Sequence, residues 1–126
     1  MKTISTPNAP TPAGHYSQAV VYGGVVYVAG MLGIDPGNPD ADPGGAGQQT
    51  RQALANVQAV LEAAGSDLRH VVRMTVYVSG HGLWGEVNAA YAEVMGEHRP
   101  ARAIVPVRNF REPFLVEIVA TAALGG

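Results

Sequence analysis

The sequence predicts an α/β fold of the α+β sandwich type, one sheet packed by two helices in the order ββαβαββ. Three observations carry this prediction. Short β-branched runs recur, two longer segments repeat apolar residues every three to four positions, and Gly- and Pro-rich stretches separate them. The 126 residues have the length of one domain, taken as 1–126. A chain of this size buries roughly two-thirds of its unfolded surface, enough for a core of its own.

Residues 1–14, rich in Pro, Thr and Ala, read as an extended lead-in. Ser17 to Tyr22 and Val25 to Ala29 are β-type runs, and Gly23-Gly24 between them signals a two-residue hairpin. Residues 33–47, GIDPGNPDADPGGAG, form a loop. Gln48 to Ala64 reads as a helix with Leu54, Val57, Leu61 and Ala64 on one face, and Gly65 is placed to end it with a positive φ. Val71 to Val78 is a strand: Val72, Met74, Val76 and Val78 face one way, Arg73, Thr75 and Tyr77 the other. Leu83 to Met95 is a second helix with Trp84, Val87, Tyr91 and Val94 on one stripe, its first turn weakened by Gly82 and Gly85. Pro100 closes the next loop, and Ala103 to Val107 and Leu115 to Ala122 complete the strands.

Two helices cover one face of a sheet and leave the other to be buried by a partner, for which closed symmetric oligomers are the common solution. Composition points the same way. Charged residues are 14% of the chain, against roughly 25% in soluble domains generally. A net charge of −2 without a basic stripe removes the electrostatic footprint of nucleic-acid binding. The absence of cysteine excludes disulfides, thiolate catalysis and a cysteine zinc site. Met1 to Pro7 lacks the apolar stretch of a signal peptide, and no apolar run approaches the ~20 residues of a membrane span, so the expected location is cytoplasmic. His15, His70, His81 and His98 fit no metal-ligand spacing. Asp35, Asp40 and Asp42 lack the calcium-loop pattern, and Gly44 to Gly47 lacks the lysine and spacing of a phosphate loop, so no metal is expected.

Three residues stand out chemically. Arg102, in Pro100-Ala101-Arg102, opens a strand with its side chain on the face of Ile104, where a guanidinium can offer a planar fork to a carboxylate. Glu117 is the one charge in the run Phe114 to Ala120 and can serve as a general base that holds water. Tyr16 opens the first strand, and its hydroxyl can orient a polar ligand. Taken singly, each also fits a structural part: a surface arginine, an outward-pointing glutamate, a packing tyrosine.

The ordered set of motifs resembles the RidA/YjgF family. Tyr16-Ser17-Gln18-Ala19, Val26-Tyr27-Val28-Ala29-Gly30 and Gly33-Ile34-Asp35-Pro36 are similar to its amino-terminal signature. Gln52 to Val57 with Leu61 to Gly65, Val72 to Val78, and Val87-Asn88-Ala89-Ala90-Tyr91 resemble its first helix, middle strand and second helix. Pro100-Ala101-Arg102 and Val116-Glu117-Ile118 resemble its closing signature. The resemblance implies a chorismate-mutase-like fold, a homotrimer with ligand clefts between subunits, and cofactor-free hydrolysis of 2-imino or enamine acids to 2-keto acids and ammonia. It implies that Arg102 grips the substrate carboxylate, that Glu117, fifteen residues later, attends the hydrolytic water, and that Tyr16 is the family's early tyrosine. Gly30, Ala29, Met31, Asn88 and Ile104 are then expected beside the substrate.

The chain also departs from that pattern. Ala29-Gly30-Met31 stands for Ser-Gly-Gln, Ile104 for Cys, Val119 for a second Glu, and His15 for Pro. These changes make the expected pocket more apolar. A larger imine or enamine substrate is therefore an alternative to the family's small ones. So is a trimer that binds carboxylate metabolites without catalysis.

Overall fold

The computed structural model describes residues 1–125. Its strands are β1 (Lys2–Ile4), β2 (Ala19–Tyr22), β3 (Val25–Leu32), β4 (Val71–Ser79), β5 (Ala101–Val107) and β6 (Val116–Ala123), and its helices are α1 (Ala46–Ala63) and α2 (Trp84–Met95). They form one sheet in the order β1-β2-β3-β6-β4-β5. β4 and β5 are parallel and joined through α2, and every other neighbouring pair is antiparallel. The seven expected elements are all present, in the expected order. The eighth, β1, lies in the lead-in that was expected to be merely extended. Its three residues hold too little pattern to announce a strand; pairing with β2 makes them one.

The punctuation acts as its chemistry requires. Gly23 and Gly24 both take positive φ, 60° and 78°, the backbone that turns β2 tightly into β3. Gly65, at φ 87°, ends α1, and the Ser66 N–H donates back to the Leu61 carbonyl at 2.8 Å. At its other end α1 has no side-chain cap of its own. Glu86 of α2 accepts from the Gly47 N–H at 2.7 Å instead, which puts a carboxylate at the helix N-terminus and ties the two helices together.

One face of the sheet packs under the helices. Val26, Val28, Met74, Val76, Val78, Ile118, Ala120 and Ala122 are buried there against Leu54, Val57, Val60, Leu61 and Val87. α2 corrects the expected stripe. Val87, Tyr91 and Met95 are buried, while Trp84 and Val94 are 52% and 37% exposed. The expected spacing averaged 3.3 residues; the buried edge follows i+4 steps, and the stripe drifts off Trp84 and Val94.

Two bulges opposite β6 correct the expected facing. Val71 pairs with Ala122 and Arg73 with Thr121, so Val72 is the extra residue. It leaves the core face and is 54% exposed, while Val71 takes its place inside. On β3, Val28 pairs with Ala120 and Met31 with Ile118, which again leaves one residue over. No helix among the described residues is long and apolar enough to cross a membrane.

Candidate active site

Arg102 and Glu117 lie on opposite faces of the same sheet. Directly paired residues of neighbouring strands point to the same side. Arg102 pairs with Met74, a core residue, and so stands on the helix side. Glu117 pairs with Tyr77, on the side the helices leave open. The sequence placed Arg102 on the face of Ile104, and the register agrees: Ile104 pairs with core Val76. The separation from Glu117 could not be read without the pairing register.

Arg102 sits on the edge strand β5 beside α2. Its Nη1 donates to Asn88 Oδ1 at 2.8 Å, and its Cζ stands 4.8 Å from the centre of the Tyr91 ring. Asn88 and Tyr91 are three residues apart on α2 and so share a face. One holds an edge of the guanidinium while the other supports its plane, leaving further N–H groups for a ligand. Burial raises the Tyr91 phenol above its ordinary pKa, and the Arg102 charge opposes that rise. Its hydroxyl is buried with no hydrogen-bond partner among the described residues. A cleft of about 480 Å³ opens here, bounded by Asn88, Tyr91, Met95, His98, Arg99 and Arg102. Asn88, expected beside the substrate, is thus seen orienting the arginine; Tyr91 was read only as packing.

Glu117 lines a separate cleft of about 290 Å³ with Tyr16, Gly30, Leu32, Ile34, Phe110 and Arg111. Gly30 is required by close approach. A Cβ there would stand 2.9 Å from the Glu117 carboxyl carbon, so the carboxylate lies across the bare backbone of the β3 bulge. Buried amides brace the walls. Gln18 accepts from Thr6 N–H at 2.7 Å and donates to Thr6 and Pro10 carbonyls, pinning the lead-in before Tyr16. The Tyr16 hydroxyl accepts from Ala13 N–H at 3.2 Å. Asn56 donates to the Leu32 and Ile34 carbonyls, holding the wall those residues form. Gln18 and Asn56 entered the sequence reading only as parts of family motifs, although buried Gln and Asn within apolar runs are a usable signal of backbone clamping.

Met31 does not join this cleft. The bulge carries it back to the helix side, where it is 3% exposed in the core. Ile104 shares the Arg102 side and packs at the margin of the core. Ala29, half-buried, donates its N–H to the Gln18 carbonyl at 2.9 Å. The loop aspartates serve their own turns, Asp35 accepting from Gly37 N–H and Asp42 from Gly44 N–H.

A six-stranded sheet with two helices on one face and a charged cleft on each side defines a small mixed α/β domain of the class expected above. The family profile described as Endoribonuclease L-PSP matches residues 6–124. The chain belongs to the RidA/YjgF family. The RutC family protein of Pyrococcus horikoshii is 42% identical over 121 residues, 96% of each chain. The rat 2-iminobutanoate/2-iminopropanoate deaminase is 39% identical over 124 residues, 98% of this chain and 90% of the rat protein. RidA from the Antarctic bacterium Psychrobacter has the same fold, with a TM-score of 0.92 at 35% identity over 98% of this chain and 100% of its own. E. coli TdcF with bound serine matches with a TM-score of 0.92 at 30% identity, covering 99% and 100%.

Proposed function

We propose that the chain hydrolyses 2-imino acids to 2-keto acids and ammonia, at clefts shared between the subunits of a homotrimer. The observation that carries the reading is the placement of Arg102 and Glu117 on opposite sheet faces, each at its own open cleft. One copy cannot bring both groups to one small ligand. Two copies can, if the Arg102 side of one meets the Glu117 side of the next. The names of the rat, bovine and mouse relatives support the deaminase activity. Serine bound to TdcF supports a ligand of amino-acid size with a carboxylate. The net charge of −2 favours such a ligand over a nucleic acid.

In this mechanism Arg102, oriented by Asn88 and Tyr91, takes the substrate carboxylate through paired N–H groups. Glu117 from the adjoining subunit holds a water and accepts its proton as the oxygen adds to the imine carbon. The carboxyl returns that proton to nitrogen. Glu117 next takes the carbinolamine's hydroxyl proton and passes it to the amine as the intermediate collapses: the C–N bond breaks, C=O forms, and ammonia leaves. One water is consumed and the carbon's oxidation level is unchanged, so the reaction calls for no redox cofactor. Tyr16 lies at the same cleft to orient the polar end of substrate or water.

Mixing tests the shared site. Arg102→Ala and Glu117→Ala are each expected to be inactive on an imine generated in situ by an amino-acid oxidase. Mixed oligomers made by co-refolding the two are expected to regain about a quarter of the sites, because some interfaces pair an intact arginine with an intact glutamate. No recovery in mixed oligomers would sink the shared cleft, and full activity in Arg102→Ala would sink the reaction.

The larger-substrate reading loses part of its support here. It leaned on Ala29, Met31 and Ile104, and Met31 is in the core.

A further inference from the structure

The geometry points to a second anion-binding residue in the Glu117 cleft, Arg111, and so to a 2-imino acid with an acidic side chain as the preferred substrate. This rests on the shared-cleft reading above. In that reading the 2-carboxylate goes to Arg102 of the adjoining subunit, and the reacting carbon lies near Glu117. The side chain of the substrate is left to extend along the remaining walls of the Glu117 cleft. Those walls are Leu32, Ile34 and Phe110, and Arg111 stands with them. Apolar walls suit one or two methylenes, and a guanidinium suits a carboxylate at their end.

Arg111 is held in place and is free to bind. Its Cζ stands 5.4 Å from the centre of the Phe114 ring, and Phe114 is 9% exposed, so the supporting ring is itself fixed. The loop that presents it is tied down on both sides. The Phe114 N–H donates to the Arg111 carbonyl at 3.0 Å, and Ser79 Oγ donates to Asn109 Oδ1 at 3.3 Å. Gln49, fully buried on α1, donates to the Pro113 carbonyl at 3.2 Å and accepts from Leu115 N–H at 2.8 Å. The ion pairs among the described residues are Arg51–Glu93 and His70–Asp67, and Arg111 is in neither. Glu117 shares its cleft, and Asp40, Asp42 and Glu112 border a neighbouring cleft that Arg111 also lines; these are the rival partners for its charge.

The test compares imines generated in situ from glutamate and from alanine, with wild type, Arg111→Met and Arg111→Lys. Wild type is expected to favour the glutamate-derived imine. Arg111→Met is expected to lower kcat/KM for it by roughly 10–100-fold, the range of a charge-assisted hydrogen bond, with the alanine-derived imine little changed. Arg111→Lys is expected to recover part of the preference. Equal losses on both imines, no loss on either, or a wild-type preference for the alanine-derived imine would overturn the inference and leave the deaminase reading intact. A preference that survives Arg111→Met but vanishes in Asp40→Asn/Asp42→Asn would also overturn it. Should wild type hydrolyse no imine, the deaminase reading fails. Calorimetry with 2-oxoglutarate against pyruvate then decides Arg111 separately: tighter dicarboxylate binding that Arg111→Met abolishes supports it, and equal binding overturns it.

Discussion

The two faces of the sheet are built from the same strands yet carry different chemistry. Under the helices, Val26, Met74, Val76, Ile118 and Ala122 are wholly buried among aliphatic partners. On the other side, the same strands present Val20, Tyr22, Tyr27, Thr75, Tyr77, Val105, Val119 and Thr121, and no helix among the described residues lies across them. Tyr22 and Tyr27 are 65% and 49% exposed. Arg73 and Glu117 are the charges contributed there by β4 and β6. A face meant for water would carry many more. The covered face accounts for the fold of one chain, and the open face has the apolar composition on which the proposed trimer rests. Each cleft begins at one of these faces, so the proposed shared site would draw on both.

The sharpest way to break the comparison is to charge the open face. Thr75 pairs with Val119 on one side and Ala103 on the other, at the middle of the sheet. Val119→Glu would bury an unpaired carboxylate in the proposed trimer, at a cost of about 3–5 kcal/mol per copy. The expected outcome is a folded monomer in sedimentation, with native circular dichroism and no imine hydrolysis. An unchanged oligomer would show that the open face meets no neighbour. The counterpart on the covered face is Leu54→Ala, at a residue with no exposure. It is expected to lose about 2–5 kcal/mol in denaturant unfolding, from transfer and cavity terms together.

A smaller perturbation separates the carboxylate from the backbone beneath it. Gly30 has no positive φ, so alanine fits its backbone, but the new Cβ meets the Glu117 carboxyl at 2.9 Å. The proposed mechanism makes this a displacement of the base. Gly30→Ala is expected to lower kcat by about 100-fold, the scale of an ångström's misplacement. The melting temperature and oligomeric mass should barely change. Full activity would show that the position of Glu117 over Gly30 is irrelevant to turnover.

How much of this was legible beforehand follows from the kind of signal each part leaves. Gly23-Gly24 and Gly65 write their backbone directly into the sequence, and all three were placed correctly. Leu54, Val57 and Leu61 gave α1 its face because a long helix repeats its pattern. Val72 and Met31 were misplaced for one reason: a bulge shifts strand parity by one residue, and nothing in Val72-Arg73 announces it, while Gly30, a residue type that marks bulges, was read only as part of a motif. Arg102, Glu117, Tyr16 and Gly30, singled out in the sequence, each line a cleft, but their division between two faces depends on cross-strand register, a property of strand pairs. Tyr91 was read as packing, which its burial supports, and its support of Arg102 needed coordinates. Arg111 offered no pattern, since a loop arginine gains meaning only from what the loop leans on.

The smallest expected effect belongs to a residue outside both clefts, and it sharpens the comparison by isolating stability from assembly and turnover. Asp67 precedes the short 3₁₀ turn Leu68–His70 that leads into β4, and its Oδ1 accepts from Arg69 N–H at 2.9 Å. The same oxygen lies 2.8 Å from His70 Nδ1. That side-chain hydrogen bond, ahead of the backbone ones, holds the Asp67 carboxyl below its usual range. A carboxyl depressed in the folded state stabilises the fold above its unfolded pKa, and the contribution is lost as pH falls through the folded value. Asp67→Asn keeps a capping oxygen and removes the charge. Stability measured by urea unfolding is therefore expected to differ slightly between wild type and Asp67→Asn at neutral pH. The two curves should converge as the medium is acidified below about pH 4, the ordinary aspartate range. Because the Asp67 side chain is partly open to solvent, salt should shrink the difference. Parallel curves across that range would remove Asp67 as a source of acid sensitivity. A change in oligomeric mass or imine turnover would contradict its separation from both faces.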